Sequence, residues 1–129
     1  YAAIRLMSLL SRKKISLANI RKRLPKFVNT PELRFECNET RKFGVIEEVL
    51  LRTKRKGAKV IEIDGVRVYT QDGWWLLRAS NTENALVARC EAKDNAGLMR
   101  LCASLLEELK KSGLNPPELT NLRFTGVEV

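Results

Sequence analysis

Apolar residues recur along this chain at two periods, and the change from one to the other divides it. In the leading stretch Ile4, Met7 and Leu10 fall on roughly one side of a helix. Ser16 suits an N-cap, and behind it Leu17, Ile20 and Leu24 repeat the helical spacing until Pro25 stops it. Helices this short are marginal alone in water, so both need a surface to pack on. Residues 25–31 read as an extended linker. Leu33 to Cys37 then alternates like a strand. Thr40 to Thr53 returns to the helical period, with Phe43, Ile46, Val49 and Leu50 on one face and Glu48 four residues ahead of Arg52.

A block of strand signals follows a basic connection over Arg52–Lys59. Val60–Ile63, Val66–Tyr69, Trp74–Ala79 and Ala85–Ala92 are rich in β-formers, and Asp64-Gly65, Gln71-Asp72-Gly73 and a polar turn separate them. Asp-Gly between apolar stretches is a strong hairpin signal, because glycine accepts positive φ. The last predicted element is a helix from about Asp94 to Ser112, capped by Asp94, striped by Leu98, Leu101, Cys102, Leu105 and Leu109, and closed at Gly113. Asn115-Pro116-Pro117 breaks it, and Leu119–Val129 receives no assignment. The order predicts an α+β layer: an antiparallel sheet of four to five strands, two helices packed on one face, and a short helical segment in front. Residues 1–27 and 28–129 are the two expected units.

Charge sharpens that division. The net charge is +9, yet residues 1–31 hold eight basic side chains and no acid, while the rest carries 16 basic and 15 acidic residues. The basicity belongs to the leading segment. The chain has no start methionine, no signal-peptide pattern and no apolar run long enough to span a bilayer, so it is expected to begin inside a longer, cytoplasmic protein. Cys37, Cys90 and Cys102 lack a C-x-x-C spacing and histidine is absent, which argues for reduced thiols and against a structural zinc site or histidine acid–base chemistry. Asn38-Glu39-Thr40 is a chance sequon in a chain without a secretion signal.

One stretch, Arg78-Ala79-Ser80-Asn81-Thr82-Glu83-Asn84, is dense in groups that bind phosphate. Arginine presents a planar fork to two oxygens, serine and threonine add hydroxyl donors, and a tight turn aims backbone N–H groups into one concavity. Composition alone favours the plainer reading, an ordinary polar turn between strands. Arg89, on the next strand, is a further candidate; an exposed arginine paired with Glu91 is its alternative. A different reading takes the Arg12–Lys26 basic run with Trp74 and Trp75 as a small nucleic-acid-binding module. Adjacent tryptophans point to opposite faces of a strand and cannot make one stacking platform, which weighs against it.

Asp64-Gly65-Val66-Arg67-Val68 followed by Asp72-Gly73-Trp74-Trp75-Leu76-Leu77-Arg78-Ala79-Ser80-Asn81-Thr82-Glu83 resembles the last domain of the α-D-phosphohexomutases of the bacterial phosphomannomutase/phosphoglucomutase type. Thr30–Arg34, Arg41-Lys42-Phe43 and Leu86–Ala92 fit the same register, so the resemblance covers roughly residues 28–112. It implies a TATA-box-binding-protein-like fold and a role for Arg78, Ser80, Asn81 and Thr82 in holding the non-reacting phosphate of the sugar substrate. It further implies a parent isomerase that interconverts hexose 1- and 6-phosphates through a phosphoserine and a sugar bisphosphate, assisted by Mg²⁺. The phosphoserine, metal and sugar-recognition loops belong to preceding domains of such a parent, so this stretch is expected to be inactive alone. Many relatives have proline where Asn84 stands. The expected partners are a hexose phosphate and those preceding domains, with no nucleic acid and no membrane; the sugar itself is left open.

Overall fold

The computed structural model describes residues 1–118. Two helices lead, α1 (Ala2–Lys13) and α2 (Leu17–Arg23), and neither buries a residue. Ser16 caps α2 as expected, its hydroxyl accepting from the Asn19 amide at 3.2 Å. Then come β1 (Val28–Asn29), β2 (Leu33–Glu36), α3 (Glu39–Arg55), β3 (Lys59–Ile61), β4 (Val66–Tyr69), β5 (Gly73–Ala79), β6 (Ala85–Ala92) and α4 (Asn95–Lys111). The tail beyond residue 118, given no element from the sequence, lies outside the described residues.

All pairings are antiparallel. The order is β1-β6-β5-β4-β3, and β2 continues the edge that β1 begins, also against β6. The two-residue strand β1 falls inside the stretch expected to be a linker. Val28 faces Ala92 across the ladder, and the Thr30 hydroxyl accepts from the Cys90 amide at 3.1 Å, so this stretch is sheet edge. Four to five strands were expected; the sheet has six, β2 to β6 and the short β1.

Alternation decides which face is covered. Val66, Val68, Trp75, Leu77, Leu86, Ala88, Cys90 and Ala92 point to one side and pack against Val45 and Val49 of α3 and Leu98, Leu101, Cys102, Leu105 and Leu109 of α4. Burial of each large side chain contributes about 1.5–3 kcal/mol. The α4 stripe matches the predicted one, and Asp94 caps the helix through the Gly97 amide at 2.7 Å. On α3 the buried residues are Lys42, Val45, Val49 and Thr53, with Ile46 and Leu50 partly buried. Phe43, expected on that face, is 57% exposed. The predicted stripe was rotated because a lysine occupies a core-facing position that periodicity assigned to the aromatic residue.

A buried acid joins the helices. Glu108, 2% exposed on α4, receives the Arg52 Nε at 2.7 Å and the Lys56 Nζ at 2.5 Å. The Arg52 Nη2 also donates to the Glu108 carbonyl at 2.9 Å and the Ser112 hydroxyl at 2.7 Å. Burial pushes the Glu108 carboxyl up, but its bonds and charges from Arg52 and Lys56 outweigh this and hold it below the ordinary value. Arg52 does meet Glu48, at 3.9 Å, as its weaker partner.

Candidate functional site

The open face of the sheet carries Arg67, Trp74, Leu76, Arg78, Arg89 and Glu91, the residues that alternate with the core set. At its Arg78 end the β5–β6 turn meets the β3–β4 turn and α3, and a cleft of about 920 Å³ opens between them. Phe43 and Ile46 form one wall, Ile61 to Gly65 another, and Arg67, Leu76, Arg78 and Asn81 complete it. The lining mixes apolar side chains with the cations Arg67 and Arg78, the amide of Asn81 and two acids, Asp64 and Glu62, the latter paired with Lys54 outside the lining.

Arg78 stands at the end of a seven-residue strand paired on both sides, so its backbone is fixed while its guanidinium remains 41% exposed. Its closest acid is Glu32, at 3.8 Å, a loose contact that leaves the fork free to turn toward a ligand. Gly65 lies directly against this position. At φ 140° it lets the β3–β4 turn approach so closely that a Cβ there would sit 2.3 Å from the Leu77 carbonyl and 2.9 Å from the Arg78 Cβ. The close approach supplies a reason for glycine in the Asp-Gly pair beyond the turn itself.

The turn after Arg78 is internally tied. The Ser80 amide donates to the Ala85 carbonyl at 2.9 Å, and the Ser80 hydroxyl accepts from the Glu83 amide at 3.2 Å. Ser80 is buried and keeps its hydroxyl proton to donate; Asn81 and Thr82 are exposed at the tip. The N–H groups of Asn81, Thr82 and Asn84 have no acceptor among the described residues. Beneath the turn, Lys42 of α3 extends its ammonium to the Ser80 carbonyl at 2.6 Å and the Glu83 carbonyl at 3.2 Å, and pairs with Glu39 at 2.6 Å. Arg34 flanks the turn, paired with Glu83 and with Glu32 at 2.6 Å, and both acids raise its pKa.

Of the residues expected at this site, Arg78 and Asn81 line the cleft together, Thr82 stands at the exposed tip, and Ser80 is built into the turn. Arg89 is not brought to them. It lies opposite Leu76 further along the sheet and donates to Asn29 at 3.3 Å, while Glu91 accepts from the Trp74 indole at 3.1 Å. Trp75 is buried and Trp74 faces the other side, where its ring stacks 3.9 Å from the Arg67 guanidinium. Sequence reasoning passed over Lys42 and Glu32. A signal for Lys42 was present: it precedes Val45 and Val49 at core spacing, a place where a charge needs partners.

Among the described residues no three His, Cys, Asp or Glu side chains converge as metal ligands. The turn and strand end offer hydrogen-bond donors in one region: the Arg78 fork, the amides of Asn81, Thr82 and Asn84, and the Ser80 hydroxyl proton.

The family described as "Phosphoglucomutase/phosphomannomutase, C-terminal domain" matches residues 32–108. The chain is 38% identical over 111 residues to a phosphomannomutase/phosphoglucomutase of Pseudomonas syringae pv. tomato, covering 86% of this chain and 24% of that protein. It is 39% identical over 103 residues to a phosphoglucomutase of Neisseria gonorrhoeae, covering 78% and 22%. The chain thus spans about a quarter of the length of the curated relatives it matches. A crystal structure of a phosphoglucomutase/phosphomannomutase family protein from Burkholderia thailandensis superposes with a TM-score of 0.64 at 35% identity, over 78% of this chain and 21% of the other. The match runs through β2, both packed helices and the Arg78 turn, and on it this chain belongs to the phosphoglucomutase/phosphomannomutase family, to the C-terminal domain of that family.

Proposed function

We propose that this chain holds the non-reacting phosphate of a hexose phosphate inside a phosphohexomutase, with Arg78, Ser80, Asn81 and Thr82 as its ligands. The observation that carries the reading is the juxtaposition, in one cleft, of the Arg78 fork with Asn81, whose backbone amide has no acceptor among the described residues. A phosphate dianion meets both without displacing a strong bond, since Glu32 holds Arg78 only loosely. In such an enzyme the domain positions the sugar, and phosphoryl transfer falls to other parts of the parent. Magnesium and a sugar bisphosphate belong to the parent's reaction cycle, and no step here runs through either. Residues 1–27 form the junction to a preceding domain, and residues 28–129 the phosphate-binding unit. Three buried free cysteines suit a reducing compartment, which for a sugar-phosphate enzyme is the cytoplasm. Among the described residues no helix is long and apolar enough to cross a membrane.

The test is a titration of the ¹⁵N-labelled chain. Glucose 6-phosphate should move the amide resonances of residues 78–84 while glucose leaves them in place. Arg78→Lys keeps the charge but loses the fork, and should weaken binding by about tenfold or more, equivalent to ~1.5–3 kcal/mol for a charge-assisted hydrogen bond. Equal responses to the two sugars, or an Arg78→Lys variant that binds as well as wild type, would remove the phosphate from this site.

A further inference from the structure

The buried cation beneath the turn has a geometric consequence for the amides above it. Lys42 is 1% exposed, and its three ammonium hydrogens have three acceptors: the Ser80 carbonyl, the Glu83 carbonyl and the Glu39 carboxylate. In a planar trans peptide the C=O of one residue and the N–H of the next point in opposite directions. Drawing the Ser80 carbonyl down toward α3 therefore turns the Asn81 N–H up, and drawing the Glu83 carbonyl down does the same for the Asn84 N–H. Those two amides are among the three that lack an acceptor among the described residues. We propose that Lys42 is a positioning residue of the anion site, aiming the Asn81 amide by gripping the Ser80 carbonyl of its own peptide unit and steadying the far end of the turn through the Glu83 carbonyl. This rests on the phosphate-binding reading above and adds to it a residue that touches no ligand.

Packing alone does not call for an ammonium here. Val45 and Val49, one and two turns on, show that aliphatic residues fill this stripe, and leucine would do so without desolvating a charge. What the ammonium supplies is a pair of charge-assisted bonds at the first and fourth residues of the turn, separated by the two that form its tip. Glu39, 62% exposed, takes the third hydrogen from the solvent side and so fixes the direction of the other two.

The experiment titrates the full 129-residue chain with inorganic phosphate by amide chemical shift, in wild type, Lys42→Met, Lys42→Arg and Arg78→Lys. Lys42→Met should raise the phosphate Kd at least tenfold. Its unliganded Asn81 and Asn84 amides should shift and exchange faster, with the strand amides of Trp74–Ala92 still protected. Lys42→Arg, which can keep the charge and one carbonyl, should recover part of the affinity. If Arg78→Lys loses phosphate but Lys42→Met binds like wild type, the positioning role is wrong and the phosphate site survives. A folded wild-type chain that binds no phosphate, or binds it independently of Arg78, removes the site and this role together. Should Lys42→Met fail to fold, the wild-type ammonium resonance decides. Slow hydrogen exchange and a shift on phosphate saturation support the role, and an ammonium that exchanges rapidly or ignores phosphate overturns it.

Discussion

At the scale of single residues, the site depends on how near two turns come to one another. Gly65 and Gly113 both have positive φ, but only Gly65 has neighbours within reach of an added Cβ. Gly113→Ala should cost about 1 kcal/mol, the conformational term alone. Gly65→Ala adds a clash with the Leu77 carbonyl and Arg78 backbone, and should cost roughly 2–4 kcal/mol. Urea denaturation of the two variants separates these terms. If Gly65→Ala does fold, phosphate affinity should fall as well, because the clash is relieved by moving the end of β5 that carries Arg78. Equal stabilities for the two variants would mean that the β3–β4 turn yields easily and does not brace the arginine. Both the glycine and the arginine were legible in the sequence, but their contact was not. It lies in the β4–β5 register, where Val66 faces Leu77, and that register depends on the geometry the turn between the strands adopts as well as on the alternation of apolar residues.

At the scale of elements, period and capping were informative where each residue agreed with its environment. The β-block hairpins, the Asp94 cap and the α4 stripe were all readable. Misreadings arose where a polar residue occupies a core position. Lys42 turned the predicted face of α3 toward Phe43, and Glu108, set among the leucines of α4, was not singled out. Both are polar groups whose partners lie on another segment, 38 to 56 residues away. Glu108→Gln should destabilise the chain by about 1–3 kcal/mol at pH 7, because Arg52 and Lys56 lose a charged acceptor. The folded carboxyl titrates below its unfolded value, so its contribution is complete above the unfolded value, ~4.3, and is lost as pH falls through the folded one. The gap between wild type and Glu108→Gln, measured in urea at pH 7 and again at pH 3, should therefore narrow in acid. Asp72, lowered by the Arg100 hydrogen bonds, stands outside this network and cancels from that comparison, whereas Glu48, which shares Arg52 with Glu108, and Glu107, which feels Lys56 and Glu108, contribute to the measured gap. A gap independent of pH would show that packing of the side chain, and not its charge, joins the helices.

For the whole molecule, stability and charge are distributed unevenly, and the two distributions coincide. The sheet and the helices that cover it share one core, while α1 and α2 contribute nothing to it and expose Ile4, Met7, Leu17 and Leu24. The eight basic side chains that lead the sequence lie on this same unburied stretch. A helix of seven or twelve residues without tertiary packing opens readily, since nucleation is costly and little burial offsets it. Hydrogen exchange should therefore be fast throughout residues 1–27 and slowest in β5 and β6, which pair along seven residues at the centre of the sheet. Deleting residues 1–27 should leave the urea midpoint of the remainder nearly unchanged, within about 0.5 kcal/mol of stability, and leave phosphate affinity as it was. The same deletion should abolish any association with a polyanion such as duplex DNA, and in the intact chain that association should weaken steeply with added salt. Phosphate binding at Arg78 and polyanion binding at the leading helices would then separate into two independent sites, one specific and one electrostatic. Strong protection of α1 and α2, or a deletion that unfolds the sheet, would show instead that the leading helices dock on this domain in solution.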